Sequence, residues 1–265
     1  MAAQVEQEAL KEINAARTDP AAYAAHVKPM LALFEGNVLK IPGQTPLITN
    51  EGPDAVNELL TFLQGAKAVP ALTHVSPGMC AAARDHATDL GKSGGTGHDG
   101  SDGSSPFDRL NRHGEWLSAA AENIALGDGT ARDRVVQLLI DDGVASRGHR
   151  LNIFNPAFRV LGVADGPHPE YGSLQVQTFA QEYTEGKSAA AATTSPAKPV
   201  AAKPVAVKPA TSPAGKPTPP PGGRVDVKTS VVKSGNKKTT TVTTVTTQAD
   251  GSSSTTVETR DEIIG

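Results

Sequence analysis

Hydrophobic positions along the chain follow helical spacing first, then strand spacing, and then thin out. Val5, Ala9, Ile13 and Ala16 share one face of a helix over about 4–17. Asp19-Pro20 is an N-cap followed by proline at the first helical position, and it opens a second helix reaching about Leu33. Gly36, Pro42, Gly43, Pro46 and Asn50 interrupt the pattern, so 35–50 reads as loop. Val56, Leu59, Leu60 and Leu63 mark a third helix over about 53–64. Ser76-Pro77 starts a fourth, whose stripe Met79, Ala83, His86/Ala87 and Leu90 holds until Lys92-Ser93-Gly94-Gly95. Ser105-Pro106 begins a short helix carrying Phe107 and Leu110 and stopping near Gly114. Thr130 with Asp133 resembles a capping box ahead of the stripe Val135, Val136, Leu139 and Ile140.

Strand signals come late. Residues 158–163 and 174–179 are rich in strand formers, and the second segment alternates apolar and polar, with 166–172 as the turn between them. Helices first and an antiparallel pair afterwards predict an α+β domain rather than repeated βαβ units. From residue 188 onward there is no Leu, Met, Phe, Trp or Tyr. A buried core needs such side chains, so one domain is expected at 1–187, a length ample for independent stability. Residues 188–224 repeat Ala-Lys-Pro-Val and read as an extended, disordered linker. Residues 225–265 alternate Thr and Val around Ser234-Gly235-Asn236 and Asp250-Gly251, which permits a small β-meander, marginal on its own.

Charge divides along the same line. The linker holds Lys198, Lys203, Lys208, Lys216 and Arg224 with no acid, and the tail beyond it is balanced, so the chain's net −3 becomes −8 for residues 1–187. An acidic domain repels phosphate backbones, so no nucleic-acid partner is expected. Cys80 is the single cysteine, which rules out an intrachain disulfide, and its apolar helical setting predicts a buried thiol. No run approaches the ~20 apolar residues of a membrane span. The first residues lack the basic and apolar regions of a signal peptide, so the expectation is either an intracellular protein or a processed start.

Three stretches can carry chemistry. His98 sits in the Gly-rich loop 97–106, where sharp turns can leave an imidazole accessible as ligand or base; the alternative is a loop histidine bonded to a nearby carbonyl. Glu122 interrupts the apolar run 117–126 and, if buried, must find donors or a cation. His149 lies between Arg147 and Arg150 after Gly148. His86, on the inner face of its helix, reads as a core histidine, and Trp116 as a core or rim anchor. Asp99 and Asp102 lack the spacing of an EF-hand. Arg147 and Arg150 suit either an anion or salt bridges to the acidic body.

Taken together, Gly97-His98, Ala121-Glu122-Asn123-Ile124, Gly148-His149-Arg150-x-Asn152-Ile153-x-Asn155-Pro156 and Phe158-x-x-x-Gly162-Val163 resemble the CAP superfamily. That group contains cysteine-rich secretory proteins, antigen-five allergens and plant pathogenesis-related type-one proteins, and the likeness is to its disulfide-free bacterial and protist branch. The resemblance covers about residues 5–183. It implies an α–β–α sandwich with a central antiparallel sheet, and a cleft where two histidines and two acidic residues hold a divalent cation. His98, Glu122 and His149 match three of these positions. The fourth acid falls where the chain reads Gln137 to Gly143 without a Glu, leaving Asp141 or Asp142 to substitute. Two imidazoles with a carboxylate suit zinc, and Glu122 would be the candidate general base of a metal-dependent, peptidase-like hydrolase. Asn123, Ser146 and Arg150 would line the cleft. The leading expectation is a non-catalytic, monomeric, extracellular binding module for a small hydrophobic ligand such as a lipid or sterol, or for a peptide or protein. Hydrolysis, and surface tethering through the basic linker and β tail, are the alternatives, as is a cytoplasmic location.

Overall fold

A computed structural model describes residues 2–43 and 45–186, and the backbone of three tail strands. Helix α1 spans Ala2–Thr18, with Ala9, Ile13 and Ala16 fully buried along the expected face. Asp19 caps α2 (Pro20–Val27), its carboxylate accepting from the Ala22 N–H at 3.0 Å. The α-helix stops at Val27 rather than running to Leu33, and the chain tightens into a 3-10 turn over Lys28–Leu33. Pro29 is the cause, because it has no N–H to donate to the preceding turn. The segment expected to be loop contains three two-residue strands, β1 (Phe34–Glu35), β2 (Val38–Leu39) and β3 (Leu47–Ile48), paired antiparallel in that order.

Helix α3 (Pro53–Gly65) buries Ala55, Val56, Leu59 and Leu63. After the short β4 (His74–Val75) comes α4 (Pro77–Ser93), capped by Ser76 and closed by Gly94 in the left-handed region at φ 69°. Helix α5 (Pro106–His113) and helix α6 (Ala131–Ile140) each begin with a full capping box, Ser105/Asp108 and Thr130/Asp133. Between them runs β5 (Gly114–Leu126), a long strand that periodicity did not reveal. Helix α7 (Gly148–Ile153) carries His149. The late strands are longer than their apolar segments, β6 covering Val160–His168 and β7 covering Gly172–Glu185, so the turn narrows to residues 169–171.

Strands β5, β7 and β6 pair antiparallel in that spatial order, and β4 adds a parallel edge beside β6. One face of this sheet packs Ala125, Leu161, Val163 and Phe179 against α1, α3, α6 and α7. The other face packs Ala120, Ile124, Val160, Ala164 and Val176 against α4 and α5. The result is an α–β–α sandwich with a core on each side of the sheet. Arg17 stitches the first layer together from α1. Its buried guanidinium donates to the carbonyls of Pro70, Asn155, Phe158 and Ile153, and burial lowers its pKa to about 10. Cys80 is buried as expected, with the Val163 N–H donating to its Sγ at 3.3 Å.

Beyond the sandwich, β8 (Arg224–Ser234), β9 (Lys237–Thr247) and β10 (Ser253–Ile263) form an antiparallel meander. Strand β8 joins the main sheet by pairing Val232 and Val231 with Ala119 and Ala120 of β5. The Ala-Lys-Pro-Val repeats expected to be linker lie outside the described residues.

Candidate functional site

The site is organised by the pleat of β5. Successive residues of a strand face opposite sides of its sheet. Glu122, in register with Ala120 and Ile124, therefore faces α4 and α5, while Asn123 faces α7. Each supports one of the two expected histidines.

On the α4/α5 side the Glu122 side chain is 1 % exposed and fully engaged. Arg109 of α5, itself buried, donates from Nη2 to Oε2 at 3.0 Å and to Oε1 at 3.2 Å. The ring of His98 bonds through Nδ1 to Glu122 Oε1 at 2.9 Å, while its side chain stays 43 % exposed. His86 closes the cluster from α4. It is fully buried, its Nε2 lies 2.9 Å from the Gly97 carbonyl and 3.7 Å from Glu122 Oε1, and its Nδ1 has no hydrogen-bond partner among the described residues. Burial on its own would raise the Glu122 carboxyl. The hydrogen bond and charge of His98, with the charges of Arg109 and His86, outweigh that and hold it below the usual carboxylate range. Burial pushes His86 below the usual imidazole value, and the nearby Glu122 only partly offsets this.

On the α7 side the arrangement repeats with a shorter acid. Asp141 ends α6 in the left-handed conformation, φ 55°. There its buried carboxylate meets the His149 ring at Nδ1 (2.6 Å) and the His149 N–H (2.9 Å). His149 remains partly open. Asn123 donates to the His149 carbonyl at 3.1 Å and accepts from Asn152 Nδ2 at 2.8 Å. The two pairs, Glu122–His98 and Asp141–His149, thus flank one strand and are tied together through its backbone.

The α6–α7 turn that leads into the helix of His149 is braced from α3 and the residues before it. Arg147, left-handed at φ 48°, makes a two-pronged bond to Glu51 at 2.7 Å and 2.7 Å and donates to the Asp141 carbonyl at 2.8 Å. Arg150 makes a second fork to Glu58 at 2.7 Å and 2.6 Å, donates to the Leu139 carbonyl and stacks over Phe62. Hydrogen bonds from Arg147 and Arg150 hold Glu51 and Glu58, respectively, below the usual carboxylate range.

Of the residues expected at the site, His98 joins Glu122 on one face of β5, and His149 joins Asp141 and Asn123 on the other. Asp142 does not: it turns away to accept from Asn50 and from the Glu51 N–H at 2.8 Å. Arg150 is buried as a brace rather than lining an open surface, and Ser146 is exposed in the turn before α7. Arg109 was not anticipated, although the need of a buried Glu122 for a cation was. Trp116 is fully buried beside Phe107.

The multi-ligand metal centre implied by the resemblance does not fit these side chains. Both Glu122 oxygens are bonded to Arg109 and one also to His98, and both Asp141 oxygens are bonded to His149. Among the described residues, no three His, Cys, Asp or Glu form a group able to hold a metal ion.

The sandwich, and the placement of these motifs around one strand, define a class of protein. The chain belongs to the cysteine-rich secretory protein family, whose profile matches residues 10–183. Over 75 residues it is 37 % identical to the uncharacterized protein YkwD of Bacillus subtilis, a match covering 28 % of this chain and 26 % of that protein. A solved extracellular protein with an SCP domain from Bacillus anthracis is similar at 26 % identity and a TM-score of 0.34, over 43 % of this chain and 35 % of its own. An outer surface protein of Borrelia burgdorferi is similar at 17 % identity and a TM-score of 0.35, over 41 % and 77 %. The chain therefore spans about a quarter of the curated relative it matches. Among the described residues, no helix is long and apolar enough to cross a membrane.

Proposed function

We infer that this chain is an extracellular binding module of its family, and that the surface around His98 and His149 receives a lipid, sterol, peptide or protein ligand. The observation that carries this reading is the state of the would-be base. Glu122 is shut off from solvent and paired with Arg109, so it has no free oxygen to take a proton from an attacking water. What the site offers to solvent is two imidazole rings, each fixed through Nδ1 by a carboxylate and each leaving Nε2 for a ligand's hydrogen bond. Rigid polar anchors of this kind orient a ligand without turning it over. The extracellular or surface descriptions of the two solved relatives agree with a role outside the cell.

The test is capture of the full chain by sterol-containing vesicles and by a peptide library, repeated with His98→Ala and His149→Ala. The reading expects a captured class that both substitutions weaken. Capture indifferent to both would remove the histidines from the ligand surface. Chelator-sensitive cleavage of the library would put hydrolysis ahead.

A further inference from the structure

A carboxylate that is 1 % exposed needs a countercharge, and a divalent ion or a guanidinium can supply it. In this chain Arg109 is placed to do so before any ligand arrives. Its helix is fixed by the Ser105/Asp108 capping box. Its Nη1 donates to the Ser104 carbonyl at 2.8 Å, and its Nη2 donates to the His98 carbonyl at 2.8 Å and to both oxygens of Glu122. The arginine thus ties the Gly-rich loop carrying His98 to the strand carrying Glu122. A metal ion bonding Glu122 would have to displace a guanidinium that is itself buried and would be left unpaired.

We propose that Arg109 is the resident cation of this site, standing where the family resemblance implies a divalent ion, so that this chain's histidine surface works without metal. The surrounding side chains make the substitution specific. His86 Nε2 stands 3.7 Å and His98 Nδ1 2.9 Å from the same Glu122 oxygen. His86 Nε2 stays engaged with the Gly97 carbonyl, so without the guanidinium it is the buried Glu122 carboxylate and the adjoining His98 ring that would need a countercharge, which a zinc ion bonded to both would supply. Arg109 is what denies zinc that place.

Calorimetric zinc titration of the full chain tests this whatever the ligand is. Wild type is expected to show no saturable site that His98→Ala abolishes; weak uptake insensitive to that substitution is adventitious binding at other histidines and agrees with the proposal. Arg109→Gln is expected to gain one site per chain, lost again in Arg109→Gln/His98→Ala, and to melt at a higher temperature with zinc than with chelator. Two results would overturn the proposal: a wild-type zinc site that depends on His98, or a folded Arg109→Gln variant that gains none. If Arg109→Gln does not fold, the wild-type titration decides, joined by Arg109→Lys. That variant keeps the charge and must stay silent to zinc, and a His98-dependent site in it counts against the proposal.

Discussion

At the scale of single residues, carboxylates are held in closed pairs with arginines, one buried (Glu122) and two partly open to solvent (Glu51 and Glu58). Glu122 with Arg109, Glu51 with Arg147 and Glu58 with Arg150 each join a carboxylate to a guanidinium by two bonds. The three carboxyls all lie below their usual range, so their contribution to stability is present at neutral pH and disappears as pH falls through the folded-state values. His86 adds an earlier loss. Burial holds its pKa in the folded chain below the usual imidazole value, faced by Glu122, Arg109, the His98 ring and the Gly97 carbonyl, so the unfolded chain takes up the proton first as pH falls. Unfolding followed by circular dichroism should therefore give a melting temperature that declines as pH drops from about 6.5. His86→Asn should flatten that decline, and an unchanged slope would assign it to other groups. Sequence motifs picked out His98, Glu122 and His149, because their neighbours follow a recognisable pattern. Arg109 carried no such mark, since nothing in a short helix beginning Ser105-Pro106 tells which of its polar residues will turn inward.

At the scale of elements, the helices with caps were legible and the strand that matters most was not. Every helix start marked by Asp19, Ser76, Ser105 or Thr130 is found where the capping pattern put it. Strand β5 was missed because its residues Ala119, Ala120, Ala121 and Glu122 are weak strand formers, and pairing along β7 with burial on both faces overrides that preference. A bulge between Leu117 and Ala120, with Ser118 at φ 69°, further breaks the alternation a reader would look for. Helix α7, six residues long, is too short to show a period. Close packing of α4 on β6 depends on Gly162, where an added Cβ would stand 2.4 Å from the Met79 backbone. Gly162→Ala should cost about 1–3 kcal/mol by overpacking, measured by urea unfolding. A cost near zero would mean that the two elements can separate without loss.

At the scale of the whole molecule, the break in composition at residue 188 set the expected end of the domain, and the segment just beyond it lies outside the described residues. The meander meets the sandwich sheet through two pairs only, at Ala119 and Ala120. A chain ending at Gly186 should therefore unfold in one cooperative step, at a temperature close to that of the full chain, as read by calorimetry. Loss of cooperativity would reveal that strand β8 supports the sandwich. The α–β–α layering itself came from the family resemblance more than from periodicity, which supplied helices and one hairpin but no order for the strands.

Cys80 is the chain's single thiol, enclosed between α4 and β6, and its pKa is pushed up to about 12 chiefly by burial. It will resist alkylation while the chain stays folded. A cysteine introduced at Ser146, exposed just before the helix of His149, would then be the site that takes a maleimide dye. The wild-type fold thus comes ready for fluorescence reporting of ligand capture beside that histidine, with no background label to engineer away.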